Sequence, residues 1–313
     1  MDTALPPACS VDDRLGTALS TDCAVISRLL PTERLLFASS STCIGTFACG
    51  PDNPSFHAEA ASTSHCLVFS RTPVWIRHER GRRYVADPTV ATFHNRGRVY
   101  QRWRIDAAGD RCDWIAYADD LVADAVERFR RAGDCHDPLW FPAEFAPISP
   151  PLYARQRRLF DRLHARVDAG LAVEEEALRL LDRVLSTVSP QREARPRRRE
   201  FDAVQQVRAA IAATPAAPQS LRSLARQSEM TPFHLCRAFS RVFGETMTAY
   251  RLRLRLQASL ARVRAGEPLV DVALAHGFSS HSHFSAAFRA AFGMTPTAWR
   301  TRAARVQVQC PVR

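Results

Sequence analysis

The sequence contains no lysine, so all 43 of its basic residues are arginines. It also lacks a long apolar run, since no stretch approaches the ~18 residues of a membrane-spanning helix. Nine cysteines are present, and no two form a CxxC pair, which argues against a disulfide framework and a ribbon-type zinc site. The opening "MDTALPPACSVDD" lacks the basic and then apolar segments of a signal peptide. These absences predict a cytoplasmic protein with reduced thiols and no membrane partner.

Positive charge is concentrated towards the C-terminus. Residues 190–313 contain 20 Arg and seven acidic residues, whereas residues 1–189 contain 23 Arg and 25 acidic residues. A field of this kind fits a polyanionic partner, nucleic acid first and an anionic membrane surface second. A soluble surface that merely happens to be basic is the remaining interpretation.

The N-terminal half shows strand patterns after a segment without clear periodicity. Residues 1–60 are rich in Ser, Thr, Pro and Ala, and no firm structure is predicted for them. From His65 onwards, short runs such as "HCLVFS", "PVWIRH" and "RVYQRWRI" alternate with turn sequences, which predicts a small sandwich or barrel. The last run alternates as a half-buried antiparallel strand does. Val99, Trp103 and Ile105 share one face, and Tyr100, Arg102 and Arg104 share the other.

After "SPP" at 149–151 the apolar period lengthens to that of a helix. Two apolar stripes predict a helical hairpin that caps the barrel or pairs with another subunit; their residues are Leu152, Leu159, Phe160, Leu163 and Val167, then Leu178, Leu181, Val184, Leu185 and Val188. The following "SPQREARPRRRE" has two prolines and five arginines and is typical of a linker. The predicted divisions are an N-terminal domain at 1–148, a hairpin at 149–189, a linker at 190–199 and a C-terminal domain at 200–305.

The C-terminal domain contains an internal repeat. "LARQSEMTPFHLCRAFSRVFGETMTAYR" (224–251) matches "VALAHGFSSHSHFSAAFRAAFGMTPTAWR" (272–300) with one insertion. Each copy predicts helix, short turn, helix, with Thr231 as the N-cap before Pro232 in the first copy and Ser279 or Ser280 in the second. The stretch "TAYRLRLRLQASLARVRAG" (248–266) predicts a helix that joins the copies. The repeat therefore predicts two helix-turn-helix units.

A helix-turn-helix inserts its second helix into the DNA major groove. The outward residues of the first such helix are predicted to be Phe233, Cys236, Arg237, Ser240 and Arg241, and those of the second His281, Ser282, His283, Ala286 and Arg289. Arg237 can offer two parallel N–H donors to a guanine, and Phe233 can contact a thymine methyl. A phosphate contact or a solvated position are the alternatives for Arg237. Two units on one linker helix can enter groove segments about 34 Å apart.

The histidine pair in "SSHSHF" could also suggest a metal site. Side chains two residues apart on a helix project about 200° from each other, so His281 and His283 cannot chelate one ion together. His283 is predicted to face the bases and His281 to lie nearer the DNA backbone. No metal ion and no cofactor is expected.

The stretch 220–300 resembles the DNA-binding domain of the AraC/XylS family of bacterial transcription regulators. The motifs that carry the resemblance are "LARQSEMTPFHLCRAF", "YRLRLRLQAS", "ALAHGFSSHSHFSAAFR" and "FGMTPTAWR". The resemblance implies that Phe233, Cys236 and Arg237 face the bases, together with Ser282, His283 and Ala286. Ala286 departs from several family members, which carry a long or basic residue there.

The resemblance also implies the fold and the function of the whole chain. The expected α+β fold has an N-terminal cupin-like β-barrel sensor domain with the hairpin, and a C-terminal all-α domain of two helix-turn-helix units joined by a linker helix. The expected protein is a bacterial, nucleoid-associated activator and not an enzyme. Its expected partners are double-stranded promoter DNA, RNA polymerase, a second copy as a homodimer and a small-molecule effector. The chain lacks the HxH and Glu cluster of metal-binding cupins, which favours an organic effector.

Three alternatives differ in what the protein senses or binds. A thiol or metal sensor could use strand ends and loops, with Cys66, His94, Cys112, Cys135 and His136. A methyl-accepting N-terminal domain would need a four-cysteine zinc site, and the spacing of Cys9, Cys23, Cys43 and Cys49 fits such a site poorly. A nonspecific architectural DNA binder would bind promoter and random DNA equally.

Overall fold

Two antiparallel sheets form the N-terminal half of the protein in a computed structural model that describes residues 32–79, 81–127, 140–166, 170–188 and 198–308. The strands within these ranges are β1 (Glu33–Ala38), β2 (Thr42–Cys49), β3 (Ala60–Ala61), β4 (His65–Ser70), β5 (Val74–His78), β6 (Tyr84–Ala86), β7 (Val90–His94), β8 (Val99–Arg104), β9 (Asp110–Tyr117) and β10 (Phe145–Pro147). One sheet has the order β1-β2-β9-β4-β7-β10, and the other has the order β3-β8-β5-β6.

Helices cover the larger sheet and form the C-terminal half. They are α1 (Asp119–Val126), α2 (Pro150–His164), α3 (Leu171–Leu185), α4 (Arg198–Ala213), α5 (Leu221–Gln227), α6 (Pro232–Phe243), α7 (Met247–Arg264), α8 (Leu269–Ala275), α9 (His281–Phe292) and α10 (Pro296–Val308). The expectation of a mixed helix and sheet protein with a C-terminal helix-turn-helix region is confirmed.

The alternation of side chains along the strands creates two apolar layers. Between the two sheets lie Phe47, Ile76, Tyr84 and Trp114. The opposite face of the six-stranded sheet packs against the first three helices, in a cluster that includes Ile44, Leu67, Phe93, Ile115, Phe160 and Leu181. Both faces of this sheet are therefore buried, which explains why its strands are apolar over most of their length.

The segment predicted to lack firm structure contributes two strands of the larger sheet. β2 lies between β1 and β9 and pairs with both along its length. Its sequence, TCIGTFAC, is rich in small residues, so its apolar periodicity is weak although nearly every residue is buried. Pairing on both edges, which is a long-range property, stabilises the strand. Residues 1–31 of the predicted segment lie outside the described residues.

In strand β8 the face that carries Arg102 is buried, whereas the apolar residues of the strand predict burial of the face that carries Trp103. Arg102 is only 7% exposed, and its guanidinium lies 4.5 Å from the ring centre of Phe47 between the sheets. Trp103 lies on the outer face, where the guanidinium of Arg83 stacks 4.6 Å from its ring. Stacking on arginine shields Trp103 from water without burial in the core, and it leaves the polar face of β8 to line the interior.

The helical hairpin and the predicted linker differ from the sequence expectation in detail. α2 and α3 form the hairpin, but Leu178 is solvent-exposed rather than part of the buried stripe. Val167 lies outside the described residues. α4 was not predicted; it begins at Arg198, inside the predicted linker, and buries Glu200 at its first turn. Residues 189–197 of that linker lie outside the described residues.

The two copies of the repeat have the same backbone structure. α5 and α6 form the first helix-turn-helix, α8 and α9 form the second, and α7 joins them. Thr231 accepts a hydrogen bond from the N–H of His234 at 3.2 Å, and Ser280 accepts one from the N–H of His283 at 3.1 Å. Gly244 and Gly293 end the two second helices with φ of +70° and +72°. Equivalent residues therefore begin and end both units.

The two units are packed into different cores. α4 to α6 and the start of α7 form one apolar cluster around Leu235, Phe239 and Tyr250. The second unit shares its cluster with the hairpin, so that Phe284 and Phe288 belong to the same core as Phe160. The second unit therefore packs against the N-terminal half through its core, whereas the described core residues of the first unit lie between α4 and α7.

Candidate DNA-binding interface

Helix α6 presents its predicted DNA-contact residues to solvent. Phe233, Cys236, Arg237 and Arg241 are all exposed, Phe233 at 72%, while Leu235, Ala238 and Phe239 face the core. The guanidinium of Arg237 lies 5.7 Å from the centre of the Phe233 ring. This contact restricts both side chains on the outer face of the helix, and it places a cationic donor beside an apolar ring.

Arg241 differs from its neighbours because it is paired with an acidic residue. Its guanidinium forms an ion pair with Glu200 of α4, a helix that the sequence pattern did not indicate. The side chain of Glu200 is mostly buried. The pair offsets part of the charge of Arg241, so Arg241 is less available for a phosphate than Arg237.

A groove of about 240 Å³ lies beside α6 and extends the surface around Cys236 and Ser240. The N-terminus of α7 forms its other side, where Thr246 caps the helix by accepting from the N–H of Ala249 at 3.1 Å. Exposed hydroxyl groups and free N–H groups at a helix N-terminus favour a phosphate. Sequence reasoning missed Thr246 and Thr248, although the repeat aligns Thr246 with Thr295, which caps α10 in the same way.

Helix α9 also exposes its predicted set, which consists of His281, Ser282, His283, Ala286 and Arg289. The Nδ1 atom of His283 lies 3.3 Å from the Ser279 hydroxyl, and its ring packs edge-on against Phe278. The Nε2 atom of His281 lies 3.2 Å from the Ser285 hydroxyl. The two imidazoles are therefore held by different partners, one at the turn before α9 and the other along the helix.

No group of three or more His, Cys, Asp or Glu side chains is placed to hold a metal ion in the part of the chain that the structure describes. Cys66, His94 and Cys112 do line one cavity. Burial raises the pKa of Cys66 to about 12 and that of Cys112 well above its usual value. Both groups therefore stay protonated at neutral pH and are poor metal ligands and nucleophiles. Cys9, Cys23, Cys135 and His136 lie outside the described residues.

Comparisons with known proteins identify the C-terminal region. A family profile described as a helix-turn-helix domain matches residues 224–302. The "Right origin-binding protein" of Escherichia coli K12 is 34% identical over 84 residues, which are 26% of this chain and 29% of that protein. The "Regulatory protein SoxS" of Salmonella typhimurium is 31% identical over 86 residues, which are 27% of this chain and 80% of that protein. The chain belongs to the AraC/XylS family of transcriptional regulators.

Solved structures that align with this AraC/XylS family member cover either about a third of its length or most of it. A regulator with an AraC-type DNA-binding domain from Chromobacterium violaceum is 28% identical, with a TM-score of 0.32, over 33% of this chain and 94% of that chain. ToxT from Vibrio cholerae is 8% identical, with a TM-score of 0.33, over 84% of this chain and 98% of that chain.

The sequence matches concern the helix-turn-helix region of the AraC/XylS chain. The matched segment is less than a third of the length of the Right origin-binding protein. The family consists of transcriptional regulators, which are generally not enzymes. Among the described helices, none is long and apolar enough to cross a membrane.

A buried polar network joins the helix-turn-helix region to the sheets. Asp87, in the turn between β6 and β7, accepts hydrogen bonds at 2.6 Å from both Arg208 of α4 and Tyr250 of α7. It also accepts from Thr89 of its own turn. Gln205 of α4 accepts from the N–H of Val85 at 2.9 Å. Because Asp87 and Arg208 are almost fully buried, each depends on the other for its counter-charge.

A cavity of about 330 Å³ lies between the two sheets, and we refer to it as the sheet cavity. Its apolar lining includes Phe47, Val68, Ile76 and Trp114, and its polar lining includes Ser64, His94, Tyr100, Arg102 and Asp110. Burial raises the pKa of Asp110 to about 6, and Arg102 opposes this rise. The cavity is large enough for a small organic molecule, and its lining is both apolar and polar.

Proposed function

We propose that this AraC/XylS family member is a sequence-specific regulator that reads a bipartite site in promoter DNA with helices α6 and α9. The single observation that carries the proposal is the repeated unit itself. Each copy begins its second helix with a capping hydroxyl and exposes a different set of polar and apolar side chains on the outer face of that helix. Different outward residues on equivalent helices would read different bases.

The proposed base readers are Phe233, Cys236 and Arg237 on α6, and Ser282, His283 and Ala286 on α9. Arg241, His281 and Arg289 are proposed to contact the phosphate backbone, with Arg241 the weakest because of its pair with Glu200. The excess of arginine over acidic residues in residues 190–313 adds a sequence-independent attraction to DNA.

A small organic effector in a cupin-like sensor domain is proposed to control DNA binding. The sheet cavity supports this part, because its volume suits a small molecule. The effector would change the packing of the α2–α3 hairpin and of the turn at Asp87, which contact the helix-turn-helix region. We further propose an activator that contacts RNA polymerase, forms a homodimer and works in the bacterial cytoplasm at the nucleoid. We also propose that the N-terminal domain ends at residue 148, the hairpin at residue 189 and the linker at residue 199.

The test is the affinity of the full chain for selected DNA and for random DNA at one salt concentration. DNA sites are first selected from a random pool, and binding is then measured by fluorescence anisotropy. A sequence-specific regulator should prefer the selected site by about 10³-fold or more. Equal affinity for both DNAs would instead indicate a nonspecific architectural binder. The fragment 196–313 should bind the same selected site, since it contains both units.

A further inference from the structure

Arg102 is a buried cation that lacks hydrogen bonds. Within the part of the chain that the structure describes, its only polar contact joins Nε to the Asp110 Oδ2 atom at 3.5 Å, which is too long for an N–H···O hydrogen bond. A guanidinium has five N–H donors, and burial of donors without partners is unfavourable. Arg102 borders the sheet cavity, so a molecule in the cavity can supply the missing acceptors.

Two phenylalanine rings hold Arg102 in this position. Its guanidinium lies 4.5 Å from the ring centre of Phe47 and 5.6 Å from that of Phe56. Stacking fixes the plane of the group and leaves its edge, which carries the N–H donors, free to meet a ligand. A planar fork of donors matches the two oxygens of a carboxylate.

A second buried donor borders the same cavity. The Nε1 atom of Trp114 has no hydrogen-bond partner among the described residues, and the side chain is more than nine-tenths buried. Around the two donors, the apolar side chains of Phe47, Val68 and Ile76 leave room for a ring or a short alkyl chain. The lining therefore combines a cationic donor group with an apolar wall, and it also contains the carboxylates of Glu33 and Asp110.

We propose that the sheet cavity binds a small organic carboxylate, with Arg102 paired to the carboxylate group and the apolar wall enclosing the rest of the molecule. The inference rests on the proposed function, in which this cavity holds the effector. Asp110 disfavours a dianion such as a phosphate ester, because its carboxylate lies beside Arg102. It tolerates a monoanion, since its raised pKa allows it to take up a proton and share it with a bound carboxylate.

The test compares acids with their amides on the full chain. The unfolding midpoint is measured with benzoate and benzamide, phenylacetate and phenylacetamide, hexanoate and hexanamide, and acetate. At least one of the larger acids should raise the midpoint in a concentration-dependent way. Its amide should bind about tenfold or more weakly, because the amide lacks the charge-assisted pair. Acetate should bind weakly, because it has no apolar body.

Variants assign the effect to Arg102. Arg102→Gln should weaken binding of the acid about tenfold to a hundredfold. Arg104→Gln is the matched control, because Arg104 lies on the same strand but is exposed, and it should bind as the wild type does. Trp114→Phe, which keeps a ring and removes the N–H donor, gives a second variant if Arg102→Gln fails to fold. It should weaken binding of the acid by about twofold to tenfold, which corresponds to the loss of one neutral hydrogen bond.

Three results would overturn the inference: no acid binds, amides bind as tightly as acids, or Arg102→Gln leaves the affinity for the acid unchanged. DNA binding is measured on the same protein samples. Loss of preference for the selected DNA site would refute the proposed function. If the protein keeps its preference for the selected DNA site but binds no acid, the proposed carboxylate ligand is refuted and the proposed function is not.

Discussion

Under the proposed function, Arg237 and Arg241 of α6 would contribute differently to DNA binding. Arg237 is exposed and stacked near Phe233, whereas Arg241 is paired with Glu200 one turn further along the helix. Two arginines four residues apart thus differ in how freely they can donate to DNA. The difference follows from α4, whose Glu200 pairs with Arg241 and also lies 3.9 Å from His234.

Arg237→Ala should cost about 1–3 kcal/mol of binding free energy at the selected DNA site if the guanidinium pairs with a guanine. The loss on random DNA should be smaller. Anisotropy titrations with both DNAs at fixed salt measure this, and Arg241→Ala is the matched comparison with a smaller expected loss. An equal loss on both DNAs would instead identify Arg237 as a phosphate contact.

His78 in the sheet domain should make the protein sensitive to acid. Burial, with a smaller effect from Arg98, lowers the pKa of His78 to about 4. Because the unfolded chain takes up this proton at pH ~6.5, the contribution of His78 to stability is complete above that pH and is lost as the pH falls towards 4. The unfolding free energy of the wild type should therefore fall by about 3 kcal/mol between pH 7 and pH 4 because of His78. His78→Gln should not show this part of the fall.

Asp110 should act in the opposite direction. Its folded-state pKa is raised to about 6, so its contribution to stability is present below pH ~4 and is lost as the pH rises through 6. The unfolding free energy of the wild type should fall by about 3 kcal/mol between pH 4 and pH 7 because of Asp110. Asp110→Asn should not show this fall. Urea unfolding of both variants over this pH range measures the two slopes. Flat differences would show that neither group has a perturbed pKa.

At the scale of elements, the two helix-turn-helix units differ at one turn position. Glu229 in the first unit and Gly277 in the second occupy equivalent places, with φ of +54° and +75°. A left-handed conformation is unfavourable for a residue with a Cβ atom and costs little for glycine. The first unit therefore contains a strained position that the second unit avoids.

Glu229→Gly should raise the unfolding free energy by about 0.5–1 kcal/mol, because it relieves the left-handed strain. The reciprocal variant, Gly277→Ala, should lower it, since an added Cβ would also lie 2.8 Å from the carbonyl oxygen of Ala216. Chemical unfolding of the full chain measures both changes. A destabilised Glu229→Gly variant would contradict this assignment of strain.

At the scale of the whole molecule, the helix-turn-helix region is attached to the sheets through a buried charge pair. Asp87 contributes the carboxylate, while Arg208 and Tyr250 contribute the donors from two different helices. Removal of one member of a buried pair leaves the other without a counter-charge. The two halves should therefore unfold together while this network is intact.

Asp87→Asn should cost about 3–5 kcal/mol of unfolding free energy, because Arg208 would lose its counter-charge. Tyr250→Phe leaves the turn of Asp87 intact and removes one hydrogen bond across the interface, so its cost should be about 1–2 kcal/mol. Asp120→Asn is the control, because that exposed carboxylate lies away from the network. Unchanged unfolding free energy in Asp87→Asn would refute this contribution of the network.

The sequence by itself determined the local features of the C-terminal region. The period of apolar residues, the capping residues (Thr231, and either Ser279 or Ser280) and the repeat predicted two helix-turn-helix units and which residues lie on their outer faces. These are short-range properties, because helix periodicity and capping depend on residues within one or two turns. The pairing of Arg241 with Glu200 could not be predicted in this way, since the acidic residue lies 41 positions away on a helix without a clear signal.

Only the tertiary structure decided which face of β8 is buried, how β2 is stabilised and how Asp87 joins the two halves. Alternation along β8 indicates two faces but does not say which one meets the other sheet, and stacking of Arg102 on Phe47 reverses the expected choice. β2 is buried because two distant strands pair with it, and Asp87 is satisfied by donors more than 100 residues away. Contacts between distant segments have no local pattern, so the sheet cavity and the interdomain network became visible only in the folded protein.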